Sequence, residues 1–397
     1  MDPLLQLLLA LALLILAAKG AGYLSRSLGQ PAVLGELLAG LLLGPTLFDL
    51  LHWPIFEGGH LPEVISSLAH LGVIFLMFIA GLEVDLEAMR RTGRPAAFAG
   101  ALGVIVPVAL AAVAFLPFGF TPRQGLFVGL TMAATSVSIS AQTLMELGVL
   151  RSRVGMTLLG AAVVDDILVV LLLSFTIALA GGGSNIGTVA WMVFRMVAFL
   201  VLAFWLGARY LGPLTRFIDR LPISEGVIAA VIVVTLLYAW AAEALGGVAA
   251  ITGAFLAGLL YGRTPFRQLI EGKIHTIAYA WLVPIFFISI GIETNARSLG
   301  WTGLPLALAI LAIAVISKVV GCGIGARLGG LPNQDALRVG VGMISRGEVG
   351  LIVASVEMSN GLIDGVILAD TVLMVLATTL ITPLLLKALY STRQGKG

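Results

Sequence analysis

Residues 158–173 read LLGAAVVDDILVVLLL. Asp165 and Asp166 stand side by side inside an apolar stretch that extends over about 153–180, longer than the roughly 20 residues a bilayer-crossing helix needs. A charged side chain at the bilayer centre costs about 2.5–3.5 kcal/mol on insertion scales. Two adjacent acids there need a purpose. Neighbours on a helix point about 100° apart, so the two carboxylates cannot face one spot. One can meet a water-filled cavity while the other meets a neighbouring helix.

The rest of the chain agrees with a membrane setting. Of 397 residues, 59% are A, V, I, L, M, F, W, Y or C and only 11% are charged. Mean hydropathy is +1.08. A soluble domain carries about 25% charged residues, so a soluble enzyme is excluded, and disorder requires the opposite bias. The net charge of +2 is too small to point to nucleic acid. The single cysteine, Cys322, rules out an intrachain disulfide or a thiolate metal cluster and reads as a small apolar filler. Asp2 precedes the first apolar run and Lys19 follows it, the reverse of a secretory signal.

Thirteen apolar segments follow, at about 4–24, 32–50, 64–82, 95–116, 124–146, 153–180, 187–212, 224–242, 247–262, 275–292, 303–326, 336–358 and 365–389. Turn chemistry separates them, as at Gln30-Pro31, Arg94-Pro95, Gly181-Gly182-Gly183 and Leu331-Pro332. The seventh runs on to about 220 with Arg216 and Arg220, which suggests a helix leaving the membrane. Lys and Arg divide sharply between alternate loops: eighteen on one side, including Arg90, Arg91, Arg151, Arg153, Arg263 and Lys387, against only Arg123 and Arg297 on the other. The expectation is an all-α polytopic membrane protein with 13 transmembrane helices, N-terminus outside and C-terminus in the cytoplasm. The spans use up the chain, so no soluble regulatory domain is expected.

Three basic residues, Arg195, Lys318 and Arg346, fall inside spans. Lys318 lies in ALAILAIAVISKVVGCGIG (307–325), about 9 residues or roughly 14 Å from the cytoplasmic end. The two acids lie roughly 18–20 Å from that end of their own helix. A lysine side chain covers the difference, so a Lys318–carboxylate pair is expected over a snorkelling lysine. Arg195 has no assigned role. His70, near an outer helix end, reads as an interfacial residue.

Two spans look broken. The fifth, GLTMAATSVSISAQTL (129–144), carries Thr135, Ser136, Ser138 and Ser140 near its middle. The twelfth, VGVGMISRGEVGLIVA (339–354), sets Ser345, Arg346 and Glu348 among glycines. Unwound helices at mid-membrane expose carbonyls to cations and mark transporter sites, although the fifth alone could be a helix-packing face. Spans 5 and 12 are seven apart, so matched helices run in opposite directions. That is an inverted-topology repeat: repeat one about 1–180, a linker helix about 187–220, repeat two about 224–390.

The stretches GQPAVLGELLAGLLLGPTL (29–47), FLMFIAGLEVDL (75–86), the Thr135-Ser136 pair, VVDD (163–166), Lys318 and MISRGEVGLIVA (343–354) occur in order. Together they resemble the monovalent cation:proton antiporter superfamily, most closely its NapA-like bacterial sodium/proton antiporters. The resemblance covers nearly the whole chain. It implies an NhaA/NapA-like fold with two crossed discontinuous helices, a homodimer in the bacterial inner membrane, and elevator-like alternating access. It implies that Asp166 binds the transported sodium or the proton, and that Asp165 forms a salt bridge with Lys318 that breaks when the ion binds. Thr135 and Ser136 would lie at the crossing, with Arg346 and Glu348 supporting the second broken helix beside Ser345. No cofactor is implied beyond the transported ions, and the partners would be sodium or another monovalent cation, protons and lipid, without nucleic acid.

Exchange needs one site that holds either a cation or protons. A cation beside a carboxylate favours its charged form, so the two compete. If Lys318 also loses a proton on release from Asp165, two protons exchange for one cation and turnover is electrogenic. Potassium in place of sodium is the alternative, and a sodium-coupled organic-solute symporter is a further one. An intramembrane aspartyl protease is disfavoured, because its two acids must face each other and come from different helices.

Overall fold

The computed structural model describes residues 2–56, 60–84, 86–180, 186–292, 304–347, 350, 353–354 and 365–391. Its helices are α1 Pro3–Ser27, α2 Ala32–Leu43, α3 Leu61–Glu83, α4 Leu86–Ala114, α5 Pro122–Ala133, α6 Val137–Glu146, α7 Arg153–Ala180 and α8 Ile186–Asp219. They continue with α9 Gly226–Ala241, α10 Ala250–Tyr261, α11 Arg267–Ile277, α12 Val283–Ile292, α13 Leu304–Leu328, α14 Asn333–Gly342 and α15 Gly365–Ser391. Single π-helical turns, Ala242–Gly246 and Ala278–Leu282, extend α9 and join α11 to α12. Among the described residues no strand is present.

Local chemistry sets the ends. Asp2 accepts from the Leu4 N–H at 2.8 Å and Pro3 occupies the first turn of α1, satisfying one orphan donor where another is missing anyway. A capping box, Thr121 with Gln124, starts α5 behind Pro122.

Ten described helical stretches are long and apolar enough to cross a membrane, α5–α6 and α11–α12 each counting as one, and α2 and α10 are shorter apolar helices. Three expected boundaries move. The second segment ends at Leu43 rather than about 50, because Gly44 and Pro45 stop the helix before the apolar residues that follow. The tenth begins at Arg267, since polar turns bearing Glu271 and Lys273 prolong it beyond its apolar run. The fourth begins at Leu86 for the same reason, through Arg90 and Arg91. The twelfth segment is described only through Gly347 and at 350 and 353–354.

The helices pack in two groups. In one, α4 packs on α5, α7 and α13, and α13 in turn on α14 and α15. In the other, α3 packs on α10 and α12, and α2 on α1 and α12. Lipid tails are as apolar as leucine, so close backbone approach does the work that hydrophobic burial does in water. Gly258 of α10 lies so near α3 that a Cβ there would strike the Phe78 carbonyl. Gly325 of α13 approaches the Phe98 carbonyl of α4 in the same way.

Candidate functional site

Helix α7 carries both acids, and their surroundings differ. Asp165 is fully buried. Its Oδ1 accepts from Lys318 Nζ of α13 at 2.5 Å, and both side chains are 0% exposed. Asp166 stays partly accessible, as the divergence of neighbouring side chains requires. Both α7 and α13 pack on α4, where Gly103 faces the pair: a Cβ there would lie 3.5 Å from Lys318 Nζ and 3.6 Å from Asp165 Oδ1. Cys322, one helical turn beyond Lys318, fills the remaining space against Gly103 and is buried. The apolar-filler reading of this cysteine fits that position. Asp165 Oδ2 has no hydrogen-bond partner among the described residues.

The fifth span is broken where its hydroxyl residues predict. α5 ends at Ala133, residues 134–136 are extended, and α6 starts at Val137. Serine and threonine offer the backbone local alternatives to helical bonds, which favours a break. The twelfth segment unwinds after Gly342, through Met343–Gly347. The two breaks touch. The Ser136 N–H donates to the Ser345 carbonyl at 2.9 Å, and the Ser140 hydroxyl to the Gly342 carbonyl at 2.5 Å. Thr135 and Arg346 both stand within electrostatic reach of Asp165, so the crossing and the ion pair form one site.

Arg346 is the largest fully buried side chain of this region. Its Nη1 donates to the carbonyls of Met343 (3.0 Å) and Ile344 (2.7 Å), and its Nη2 to that of Ala314 (3.2 Å). Nη1 satisfies the two carbonyls that unwinding has freed and offsets the negative end of α14, while Nη2 ties the break to α13. Thr379 of α15 donates to the Arg346 carbonyl at 2.7 Å. Ser345 Oγ is buried without a partner among the described residues. Glu348 lies outside the described residues.

The structure therefore gathers Asp165, Asp166, Lys318, Thr135, Ser136, Ser345 and Arg346 at one place. Arg195 is elsewhere, exposed on α8 with its guanidinium against Gly247, and His70 is exposed on α3. Glu36 and Asp370, buried acids of α2 and α15, are not among the residues expected from the sequence. A lone acid in an apolar run was the available signal for both.

Residues 10–391 match the family described as sodium/hydrogen exchanger, transmembrane. The chain belongs to that family. As a member it exchanges sodium ions for protons across a membrane. It is 39% identical over 384 residues to the Na(+)/H(+)-K(+) antiporter GerN of Bacillus cereus, covering 96% of each chain. It is 33% identical over 385 residues to a Na(+)/H(+) antiporter of Enterococcus hirae, covering 97% of each. Among solved structures it resembles the sodium proton antiporter MjNhaP1 of Methanocaldococcus jannaschii, with a TM-score of 0.71 at 16% identity over 98% of this chain and 97% of that one. That likeness bears on the fold alone.

Proposed function

We propose that sodium and protons compete for Asp166, with Asp165 and Lys318 as the coupled pair beside it. The observation that carries this reading is the meeting of two helix breaks next to a fully buried Asp165–Lys318 bond. Breaks of this kind expose backbone groups only where they line a cavity or a binding site. Sodium at Asp166 draws Asp165 into the site and frees Lys318. Loss of the Lys318 proton then makes the exchange two protons for one cation and electrogenic. The two loaded states differ by one charge, the protonated one being neutral, and either ligand at Asp166 covers the bare carboxylate that an empty site presents to the apolar barrier between the two helix groups, which gives the differential affinity that alternating access needs.

The architecture we propose is thirteen spans in two inverted repeats, about 1–180 and 224–390, joined by a linker helix, about 187–220. Support comes from the short helices Pro122–Ala133 and Asn333–Gly342, each started by a proline and each ending in a break. Contacts among helix ends also fit the alternation: Arg151 reaches Glu83 and Glu271, all placed on one side by the basic-loop count. We place that side in the cytoplasm of a bacterium and the protein in its inner membrane as a homodimer.

The test is Asp166→Asn in proteoliposomes with a pH dye, challenged in turn with sodium, lithium and potassium. Cation-driven proton movement is expected to vanish for every ion. Full exchange by the variant would remove Asp166 from the centre. Potassium as a second cargo is a reading favoured by the name of the Bacillus cereus relative, and the potassium challenge of the native chain decides it.

A further inference from the structure

The two helix groups also meet at the end of α6 farthest from the break, through a chain of polar side chains that the ion site does not use. The Tyr279 hydroxyl, in the π turn before α12, donates to Gln142 Oε1 of α6 at 2.5 Å. Gln142 Nε2 donates to Glu146 Oε1 at 2.9 Å. The Glu146 carboxylate accepts from the backbone N–H groups of Ala32 (2.6 Å) and Val33 (3.3 Å), the first turn of α2. The partners are separated by 137 and 114 residues in sequence, so nothing local forces them together.

Each link answers a need. The helix α2 follows Pro31, which supplies no side-chain cap, so its first N–H groups are orphans. A carboxylate aimed at a helix N-terminus satisfies them and meets the positive end of the dipole. Gln142 is 6% exposed, so its amide must find partners inside the protein. Its Nε2 bonds Glu146 within α6, but its Oε1 has the Tyr279 hydroxyl only while α6 sits against the π turn, and Glu146 has the α2 donors only while α6 sits against α2. A wide π turn presents Tyr279 to it, a feature frequent at functional positions. Its ring is held in turn by stacking on His275, with centroids 4.2 Å apart. Helix α6 is a short rigid rod with the ion-site break at Ser136 on one end and this cluster on the other, about 15 Å away.

We propose that Tyr279, Gln142 and Glu146 form a latch between the helix group that carries the ion site and the group that contains α2 and α12. The latch holds the conformation seen here, and it opens and recloses in every exchange cycle. This rests on the reading that the two groups move relative to each other. Opening strips two α2 donors of their acceptor and the buried Gln142 Oε1 of its donor at once, so the contact behaves as a two-state element rather than a sliding one. Tyr279, Gln142 and Glu146 are positioning residues: they bias which side the site faces and do not bind the ion.

The experiment joins Gln142→Cys to Tyr279→Cys with a short bis-methanethiosulfonate. The native chain, whose only cysteine is buried, serves as control for the reagent. Cross-linking is expected to lower sodium-driven proton movement in proteoliposomes at least tenfold, and a reductant to restore it. Exchange at the uncross-linked rate with the bridge formed would overturn the latch. Tyr279→Phe removes one hydroxyl and keeps the packing. It is expected to change the ratio of apparent sodium KM values measured from the two faces by about 2–10-fold, as one lost hydrogen bond implies. An unchanged ratio would also count against the latch. Asp166→Asn separates the two readings: a dead Asp166 variant beside a fully active cross-linked protein sinks the latch alone, and an active one sinks the ion site alone.

Discussion

Replacing Lys318 by methionine keeps the length of the side chain and deletes its charge. The consequence follows from the burial of its partner. Lys318 Nζ and Asp165 Oδ1 are 2.5 Å apart and neither side chain is exposed. At an effective dielectric of about 20 the attraction is roughly 7 kcal/mol. Removing two ions from water costs several kcal/mol each, so the intact pair is close to neutral for stability. Breaking it is different, because Asp165 then stands buried without its cation. The expected loss for Lys318→Met is about 3–5 kcal/mol, roughly two to three and a half orders of magnitude in the folded-to-unfolded ratio. Asp165→Asn added to Lys318→Met removes the orphaned charge and is expected to recover most of that loss. The assay is thermal unfolding of the purified protein in detergent, read as the fraction that stays monodisperse, for native, both singles and the double. A coupling of about 3 kcal/mol, with the double more stable than Lys318→Met, is the predicted result. Additive effects of the two singles, or a Lys318→Met as stable as native, would refute the reasoning.

Two further outcomes can be read in the same assay. Arg346→Met strips the side-chain donor from the Met343 and Ile344 carbonyls, removes the tie to Ala314 of α13, and should lower stability by at least about 3 kcal/mol, with Arg346→Lys intermediate because one ammonium cannot span the fork; a methionine variant of native stability would show that the guanidinium does not hold the break. Gly258→Ala forces α10 off the Phe78 carbonyl and should cost about 1–3 kcal/mol, whereas Gly272→Ala, on α11 with open space around it, should gain up to about 1 kcal/mol from helix propensity; equal signs for the two would refute the packing argument.

What could be read from the sequence was what a bilayer makes expensive. Apolar runs of span length, charges within them and the uneven loops all carry free-energy consequences of several kcal/mol, and they mark helix positions closely. The break after Ala133 and the unwinding after Gly342 were legible too, because serine, threonine and glycine weaken helices by known local means. The second segment reads as longer than the helix because Leu47, Leu50 and Leu51 are apolar, although Gly44-Pro45 ends the helix before them. Partnership was the harder matter. Depth alone pairs Lys318 with a carboxylate, since few groups can balance it, while the choice of Asp165 comes from the family resemblance. Tyr279, Gln142 and Ala32 give no such constraint: they are neutral, their spacing is over a hundred residues, and a backbone N–H has no letter in a sequence.

The crossing also explains why two helices are broken and not one. Unwinding a single helix would leave donors and acceptors without partners in a medium that supplies none. Here each break answers the other: the Ser136 N–H uses the Ser345 carbonyl, and the Ser140 hydroxyl uses that of Gly342. Arg346 takes two further carbonyls of the second break, Met343 and Ile344, and reaches across to Ala314 of α13. With so much of the freed backbone engaged, the groups at the site whose demand changes during a cycle are the two carboxylates and Lys318. On the proposed reading that is the condition for exchange. The scaffold around Asp165 and Asp166 can remain fixed while a proton or a cation satisfies the acid in turn, and neither ligand has to rebuild the helices in order to bind.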